Sequence, residues 1–193
     1  MNYYISDLHF GCQNSYENRR LEHDEIIKEK WNNRVTNGDT VYILGDIGKE
    51  GSNKDNEYLC SIISKLKGRK VLIKGNHDKL KDYRLKQLFS EIVDYKEVCD
   101  NSKRERNVVV LSHYPMLIWN GQHKGWVHLY GHVHMSEEWD VYKKALSSLD
   151  YYFAGQSANG REDCPPAVAY NVGCMLHDYE PKTLSELLSL PCK

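Results

Sequence analysis

Short apolar runs that end at a carboxylate, imidazole or amide side chain are the feature that most constrains the fold of this chain. Short runs of apolar, often β-branched residues predict buried strands. The polar ends are the segments Asp7–His9, Gly45–Asp46, Gly75–Asp78, Ser112–His113 and Gly131–His134. Ligands of open α/β sheets gather outside the carboxyl ends of the strands, so these segments are expected to meet in one crevice.

Strands alternate with helices in the first half of the chain, whereas the second half is rich in strands, and this order predicts an α/β fold. The pattern predicts strands at 2–6, 40–44, 70–74, 92–98, 107–112, 126–130 and 167–172. It predicts helices at 17–35, 56–66, 83–89 and 183–190. Ser136–Pro166 has no clean period, and we interpret it as a long loop with partial structure beside the site.

The length of 193 residues fits a single domain over residues 1–193, because a domain typically holds ~100–200 residues. The 26 basic and 27 acidic residues leave a net charge of −1, which gives no overall field toward nucleic acid or an anionic membrane. No run approaches the ~20 apolar residues of a membrane span, and no secretory leader precedes the first strand. The six cysteines show no C-x-x-C pair, so neither a disulfide framework nor a structural zinc site is predicted. We therefore expect a soluble, cytoplasmic protein.

Each polar motif is weak evidence for a metal site when it stands alone, but the five together are strong evidence. A packed domain gains nothing from gathering imidazoles and carboxylates where burial makes charge costly. Residues at i and i+2 of an extended chain share a face, which aims Asp7 and His9 into the same space. His132 and His134 have the same spacing. Divalent cations would offset the carboxylates and use the imidazoles as ligands.

The order of the motifs resembles the calcineurin-like metallophosphoesterase superfamily, whose pattern is D-x-H, G-D, G-N-H-D/E, H and G-H-x-H. The flanking segments Val41–Asp46 and Ser112–Pro115 look most like the small bacterial and phage phosphoesterases of that superfamily. The resemblance implies a four-layer α-β-β-α sandwich, in which two mixed β-sheets are flanked by helices. It also implies a hydrolase of phosphate esters that uses two metal ions.

The resemblance further implies a role for each site residue. One cation is expected on Asp7, His9 and His134, and the other on Asn76, His113 and His132. Asp46 is expected to bridge the two cations. A hydroxide shared by the cations would attack phosphorus, and His77 would remain free to donate a hydrogen bond or proton to an ester oxygen. Nitrogen and oxygen ligands without thiolate are compatible with Mn, Fe, Zn, Co or Ni, and we favour Mn.

The second motif departs from the protein serine/threonine phosphatases of the superfamily, which extend it to G-D-x-x-D-R. Here Lys49 and Glu50 stand at the positions of that Asp and Arg. This difference argues against phosphoprotein substrates and leaves the partner of His77 unidentified. Asp78 is adjacent, but neighbouring side chains of an extended backbone point apart, so its role in orienting His77 stays open.

The preferred substrate is a small phosphodiester or phosphomonoester of nucleotide-like chemistry, and the oligomeric state is not predicted. A nuclease of the same superfamily is one alternative, and a binding scaffold that has lost catalysis is another. The near-neutral charge argues against nucleic acid, and the basic cluster at 65–70 is expected on the side opposite the metals. The presence of every ligand and of His77 argues against the scaffold.

Several residues outside the motifs were also considered as functional. His128 is expected to make a core hydrogen bond, or alternatively to support a metal ligand. His23 and His177 are interpreted as surface imidazoles, and Tyr114 could line the substrate pocket. Arg19 and Arg20 could reach a phosphate, but we expect them to begin a solvated helix. Cys12 could line the pocket, but we expect it to be a small apolar residue.

Overall fold

Two four-stranded β-sheets form the framework of the structure, a computed structural model that describes residues 1–12, 21–101, 107–155 and 165–190. The first sheet contains, in spatial order, β1 (Asn2–Ile5), β2 (Thr40–Ile43), β3 (Arg69–Ile73) and β4 (Glu91–Val93). These four strands are parallel, and an isolated antiparallel bridge joins Tyr4 to Lys182 beyond β1. The four strands of the first sheet are therefore all parallel, and the isolated bridge adds one antiparallel contact at its edge.

The second sheet is mixed and follows the first along the chain. It contains, in spatial order, β5 (Tyr95–Asp100), β6 (Asn107–Ser112), β7 (Val127–Tyr130) and β8 (Ala169–Asn171). β5 runs antiparallel to β6, whereas β6, β7 and β8 are parallel to one another. The single run predicted at 92–98 is in fact split, because the chain leaves the first sheet after β4 and enters the second with β5.

Helices cover the outer faces of the two sheets, except for the last one, whose Leu184 and Leu187 pack in the apolar layer between the sheets. The helices are α1 (Leu21–Arg34), α2 (Asn53–Ile63), α3 (Tyr83–Lys86), α4 (Glu137–Gly155) and α5 (Leu184–Leu187). Two short 3₁₀ helices lie at Gln122–Lys124 and Cys174–His177. No helix of the described residues is long and apolar enough to span a membrane.

Alternation of side chains along the strands creates three apolar layers. On β2, Val41 and Ile43 pack with the helices α1 and α2, whereas Tyr42 faces the second sheet. On β6, Val109 faces the first sheet, whereas Val110 packs under α4. The architecture is therefore the α-β-β-α sandwich that was predicted.

The helix α4 corrects the prediction of a long loop at 136–166. Trp139, Tyr142 and Leu146 recur at helical spacing and pack on the outer face of the second sheet. These residues give the helix a buried face that only its contact with the sheet makes evident. The part of the predicted loop at 156–164 lies outside the described residues, as do Arg19, Arg20 and the predicted helical residues 17–20.

Candidate metal centre

The polar motifs meet where the parallel strands of both sheets end. Asp7 and His9 follow β1, Asp46 follows β2, and Asn76 and His77 follow β3 in the first sheet. The second sheet contributes His113 after β6, and His132 and His134 after β7. The site therefore lies across the join between the two sheets.

One group of side chains holds carboxylate and imidazole atoms at separations that suit ligands of one metal ion. Potential ligand atoms of Asp7, His9, Asp46 and His134 all lie within 4.8 Å of one another. The two Nε2 atoms of His9 and His134 are 3.4 Å apart. Two ligands held ~2.1 Å from one tetrahedral metal ion are about 3.4 Å apart, so the two imidazoles fit a shared cation.

A second group extends from the other side of Asp46. His113 Nε2 is 3.6 Å from Asp46 Oδ2 and 2.9 Å from Asn76 Oδ1. The centroid of the His132 ring is 5.1 Å from that of the His113 ring. The structure thus brings together all seven residues that the resemblance implies as ligands, and Asp46 lies between the two groups.

The environment of His113 favours the form of imidazole that binds metals. Its ring is buried, and its Nδ1 lies 2.8 Å from the main-chain oxygen of Leu44. A proton on Nδ1 donates to that oxygen, which leaves a lone pair on Nε2 facing Asp46 and Asn76. The donor set around Asp46 therefore fits a cation.

Burial increases the free-energy cost of a negative charge on Asp7. Asp7 and Asp46 are each only 1% exposed. Burial raises the pKa of Asp7, and the neighbouring His134 opposes this rise. Burial also lowers the pKa of His132, an effect that the His113 ring reinforces and the charges of Asp46, Asp7 and Glu138 oppose. Bound cations would compensate the buried negative charge.

Five of the gathered residues adopt left-handed backbone conformations, which residues other than glycine rarely take. Their φ angles are 57° at Asp7, 45° at His9, 55° at Asp46, 71° at His132 and 47° at His134. Such conformations cost about 1–3 kcal/mol each and persist where the surroundings hold them, as they do at functional sites.

Gly75 and Gly131 allow the loops of the site to pack closely against one another. A Cβ atom at Gly75 would collide with the carboxylate and the amide nitrogen of Asp46. A Cβ atom at Gly131 would collide with the side chain of Ser6 and the carboxylate of Asp7. The glycines of G-N-H-D and G-H-x-H are therefore required by the packing of neighbouring loops.

Asp78 anchors the main chain of two site loops. Its carboxylate, which is buried, accepts hydrogen bonds from the amides of Asp46 (2.9 Å), Ile47 (2.9 Å) and Gly75 (2.8 Å). Burial raises the pKa of Asp78 to about 6, although these amides oppose the rise. These contacts hold the carboxylate of Asp78 beneath the two loops.

His77 and Tyr114, like Asn76, are exposed residues of the site. The amide of His77 donates to Asp46 Oδ1 at 3.0 Å, and its exposed ring lies 5.8 Å from the His9 ring, centroid to centroid. The Tyr114 ring packs edge-on against the His113 and His132 rings. Both side chains therefore border the space in front of the gathered ligands.

Asn171, Ser6 and Cys174 support the site and were missed by the sequence analysis. Asn171 Nδ2 donates to the main-chain oxygen of His134 at 3.0 Å, and its Oδ1 accepts from the amide of Gly173 at 2.9 Å. The Ser6 hydroxyl donates to Asp7 Oδ2 at 2.7 Å, and the Cys174 thiol donates to the main-chain oxygen of Asp7 at 3.1 Å. Asn171 is the last residue of β8, so a polar side chain at the end of an apolar strand was the signal that could have marked it.

Three histidines outside the motifs are built into the structure. His128 is buried, accepts from the amide of Met116 at 3.1 Å and lies 3.1 Å from the oxygen of Val110, so the core hydrogen bond is confirmed. The prediction of a surface imidazole was wrong for His177, whose pKa is lowered by burial, whereas His23 is partly exposed. His177 Nε2 contacts the oxygen of Asn171 at 2.8 Å, and His23 stacks on Tyr179.

Comparison with known proteins places this site in a family. A sequence model of the calcineurin-like phosphoesterase family matches residues 3–158. The gene 66 protein of Mycobacterium phage D29 is 30% identical over 155 residues, which cover 68% of this chain and 77% of that protein. The gene 66 protein of Mycobacterium phage L5 is 43% identical over 81 residues, which cover 39% of each chain.

A solved structure resembles the whole chain. It is the crystal structure of a protein of unknown function from Aquifex aeolicus, with a TM-score of 0.65 and 28% sequence identity. The alignment covers 99% of each chain. The alignment therefore extends over both sheets.

Proposed function

The chain belongs to the calcineurin-like phosphoesterase family, and from this we propose that it hydrolyses a small phosphodiester or phosphomonoester with the help of two metal ions. Members of this family are generally metal-dependent hydrolases of phosphate esters, and the cluster around Asp7 and Asp46 is a candidate metal site. A nucleotide-like ester is the preferred substrate.

The position of Asp46 is the observation that carries the proposal of two cations. Its Oδ2 atom lies 3.7 Å from His9 Nε2 and 3.6 Å from His113 Nε2. One carboxylate oxygen thus faces both groups of ligands. Asp7, His9 and His134 would hold one cation, and Asn76, His113 and His132 the other, with Asp46 shared.

The cations would activate the attacking water, and His77 would assist the departing oxygen. Bound divalent cations supply a water of lowered pKa and neutralise the charge of the phosphoryl group. His77 would donate a hydrogen bond or proton to the departing oxygen, because its ring is exposed in front of the site while its amide is fixed to Asp46. A donor set of nitrogen and oxygen is compatible with Mn, Fe, Zn, Co or Ni, and of these we favour Mn.

The placement of the basic cluster supports a small ester over nucleic acid. Arg69 and Lys70 begin β3, whereas Asn76 follows the other end of that strand. The amine of Lys67 donates to the main-chain oxygen of Asn32, at the end of α1. These charges therefore lie away from the ligands.

Metal reconstitution of the purified chain tests the proposal. The chelated protein would be loaded separately with Mn, Fe, Zn, Co and Ni and assayed on phosphomonoesters, linear diesters and cyclic nucleotides. We expect hydrolysis only after loading, because without cations no activated water is available. Undiminished turnover of a verified metal-free preparation would refute the mechanism.

The variant Asp46→Asn tests the shared carboxylate. We expect it to lose most of the activity and to weaken at least one cation site, because one charge serves both groups. The matched control is Glu25→Gln, which removes a carboxylate from the exposed face of α1 and should change neither property. Full metal content with a normal rate in Asp46→Asn would remove Asp46 from this role.

A further inference from the structure

Tyr114 is an aromatic residue that the proposed reaction does not yet use. It directly follows His113, and its ring centroid lies 5.1 Å from that of His113 and 4.6 Å from that of His132. The interplanar angles are 72° and 65°, so the contacts are edge-on. The residue nevertheless stays 49% exposed. Part of its surface is therefore available to a molecule bound in front of these imidazoles.

The loop that carries Tyr114 is fixed from below. The amide of Met116 donates to His128 Nε2, and the hydroxyl of Tyr142 on α4 donates to the Met116 oxygen at 3.0 Å. The indole of Trp119 donates to the Trp126 oxygen at 2.8 Å. Because the loop is held in place, little conformational entropy is lost when a ligand packs on Tyr114.

The segments that carry Tyr114 and His134 also expose apolar residues. Leu117 and Ile118, on the same loop as Tyr114, are exposed, and Met135, directly after His134, is exposed as well. The carboxylate of Glu138, at the start of α4, is close enough for its charge to act on His132. An uncharged apolar group would find apolar partners on these segments, whereas the carboxylate of Glu138 offers no favourable partner to a second phosphate group.

We propose that Tyr114 forms the wall of a subsite that stacks a planar, uncharged aromatic group of the substrate beside a single phosphoryl group. This inference rests on the phosphoesterase function proposed above and specifies its substrate class as aryl or nucleoside esters. Aromatic rings attract one another in offset-stacked or edge-to-face pairs, a preference that saturated rings of similar size do not share.

Two unreactive phosphonates separate planarity from size. Binding of phenylphosphonate and of cyclohexylphosphonate to the Mn-loaded full chain would be measured by titration calorimetry. We expect the wild type to prefer the phenyl compound by about 3- to 10-fold, the size expected of one aromatic pair. Tyr114→Phe should keep this preference, and Tyr114→Leu should reduce it to about onefold with unchanged Mn content.

The matched control is Tyr151→Ala, which removes another exposed tyrosine. Tyr151 is 85% exposed and lies on α4, ~20 Å along the helix from Glu137. This variant should bind both phosphonates as the wild type does.

Other outcomes would overturn the inference. Equal affinity of the wild type for both phosphonates, or an unchanged preference in Tyr114→Leu, would exclude the aromatic wall. Equal losses for both compounds in Tyr114→Phe would assign the role to the hydroxyl, and loss of Mn in Tyr114→Leu would make the ring a support for His132. Metal-dependent hydrolysis without a phenyl preference would refute this inference alone. Absence of both phosphonate binding and ester hydrolysis would refute the proposed function with it.

Discussion

At the scale of single residues, the neighbours Asn76 and His77 differ in the part of the residue that contacts the cluster. The side-chain oxygen of Asn76 lies 2.9 Å from His113 Nε2, inside the cluster. The next residue, His77, contributes its amide to Asp46, and its ring is exposed. Adjacent residues thus have different relations to the cluster, which supports a catalytic role for His77 without metal ligation.

The variant His77→Ala tests this role. We expect kcat to fall by about 10²–10⁴, the usual contribution of general acid catalysis, with a smaller loss for esters that have a good leaving group. Metal content should be retained. The control is His123→Ala, which removes an exposed imidazole from the 3₁₀ helix at Gln122–Lys124. Equal losses for good and poor leaving groups would exclude proton donation, and an effect confined to KM would make His77 a phosphate-positioning residue.

Asn171 is the residue that couples the His134 loop to the end of β8. It is 5% exposed, and its amide side chain joins the His134 oxygen to the Gly173 amide. Because His134 has a strained backbone, loss of this support should let its ring move away from Asp7. We predict that Asn171→Ala lowers the affinity of one cation by about 10- to 100-fold and leaves the other bound. Metal titration with two-site analysis measures both affinities.

Asn32 provides a matched control for this prediction. Its side chain also joins two main-chain groups, because it donates to the oxygen of Lys65 and accepts from the amide of Lys67, both at 2.9 Å. Asn32→Ala therefore removes the same kind of clamp at the opposite end of β3. If the two variants weaken metal binding equally, Asn171 has only a general structural role.

The sequence predicted the residues of the candidate site better than it predicted their supports. Each expected ligand follows an apolar strand, and such a position is visible in a single sequence. The role of Asn171 depends on a hydrogen bond to a residue 37 positions away, and that of Asp78 on amides of two separate loops. These contacts exist only after the strands are assembled, so no local pattern reports them.

At the scale of elements, β7 supports the loop that follows β6. His128 on β7 accepts the amide of Met116, so its other ring nitrogen, Nδ1, carries the proton and donates to the Val110 oxygen. Its ring also packs against those of Trp119 and Tyr130. The buried neutral imidazole of His128 therefore connects β7 to β6 and to the loop that carries Tyr114.

This imidazole should make folding stability depend on pH. Burial lowers the pKa of His128 to about 4, below its ordinary value near 6.5. In that interval the unfolded chain binds more protons than the folded one, so the free energy of unfolding falls as the pH falls. We expect His128 to account for about 2 kcal/mol of the loss between pH 7.5 and pH 5.

Urea unfolding of the chelated wild type and of His128→Gln at both pH values measures this contribution. The variant should be less stable at pH 7.5 but should lose about 2 kcal/mol less than the wild type on acidification. Carboxylates that titrate in both proteins cancel in this difference. Parallel losses in the two proteins would show that His128 does not titrate in this range.

The elements also show where the sequence pattern was insufficient. The run at 92–98 contains two strands, but its apolar character does not reveal that β4 and β5 pair with different sheets. The aromatic and apolar side chains of α4 form a buried face only because the outer surface of the second sheet is itself apolar. In both cases the structure depends on which sheet the segment joins or packs against, and the local sequence does not specify that sheet.

At the scale of the whole molecule, the candidate site connects the two sheets at one edge of the sandwich. Asp7, His9 and Asp46 follow strands of the first sheet, whereas His113 and His134 follow strands of the second. The amide of His132 also donates to both carboxylate oxygens of Asp7, at 3.2 and 3.3 Å. Cations bound here would add cross-links between parts of the chain that hydrogen bonds already join.

Metal binding should therefore stabilise the fold as a whole. The ligands span residues 7–134 of the sequence, so the unfolded chain cannot gather them and should bind cations weakly. Mn at about 100 times its Kd would add ~2.7 kcal/mol to the free energy of unfolding, and ~2–4 °C per kcal/mol for a chain of this size gives a rise in Tm of roughly 5–10 °C. Scanning calorimetry with chelator and with Mn measures this shift, and Asp46→Asn should reduce it because both groups share that carboxylate. An unchanged Tm at saturating Mn would mean that the two sheets are not joined through bound metal.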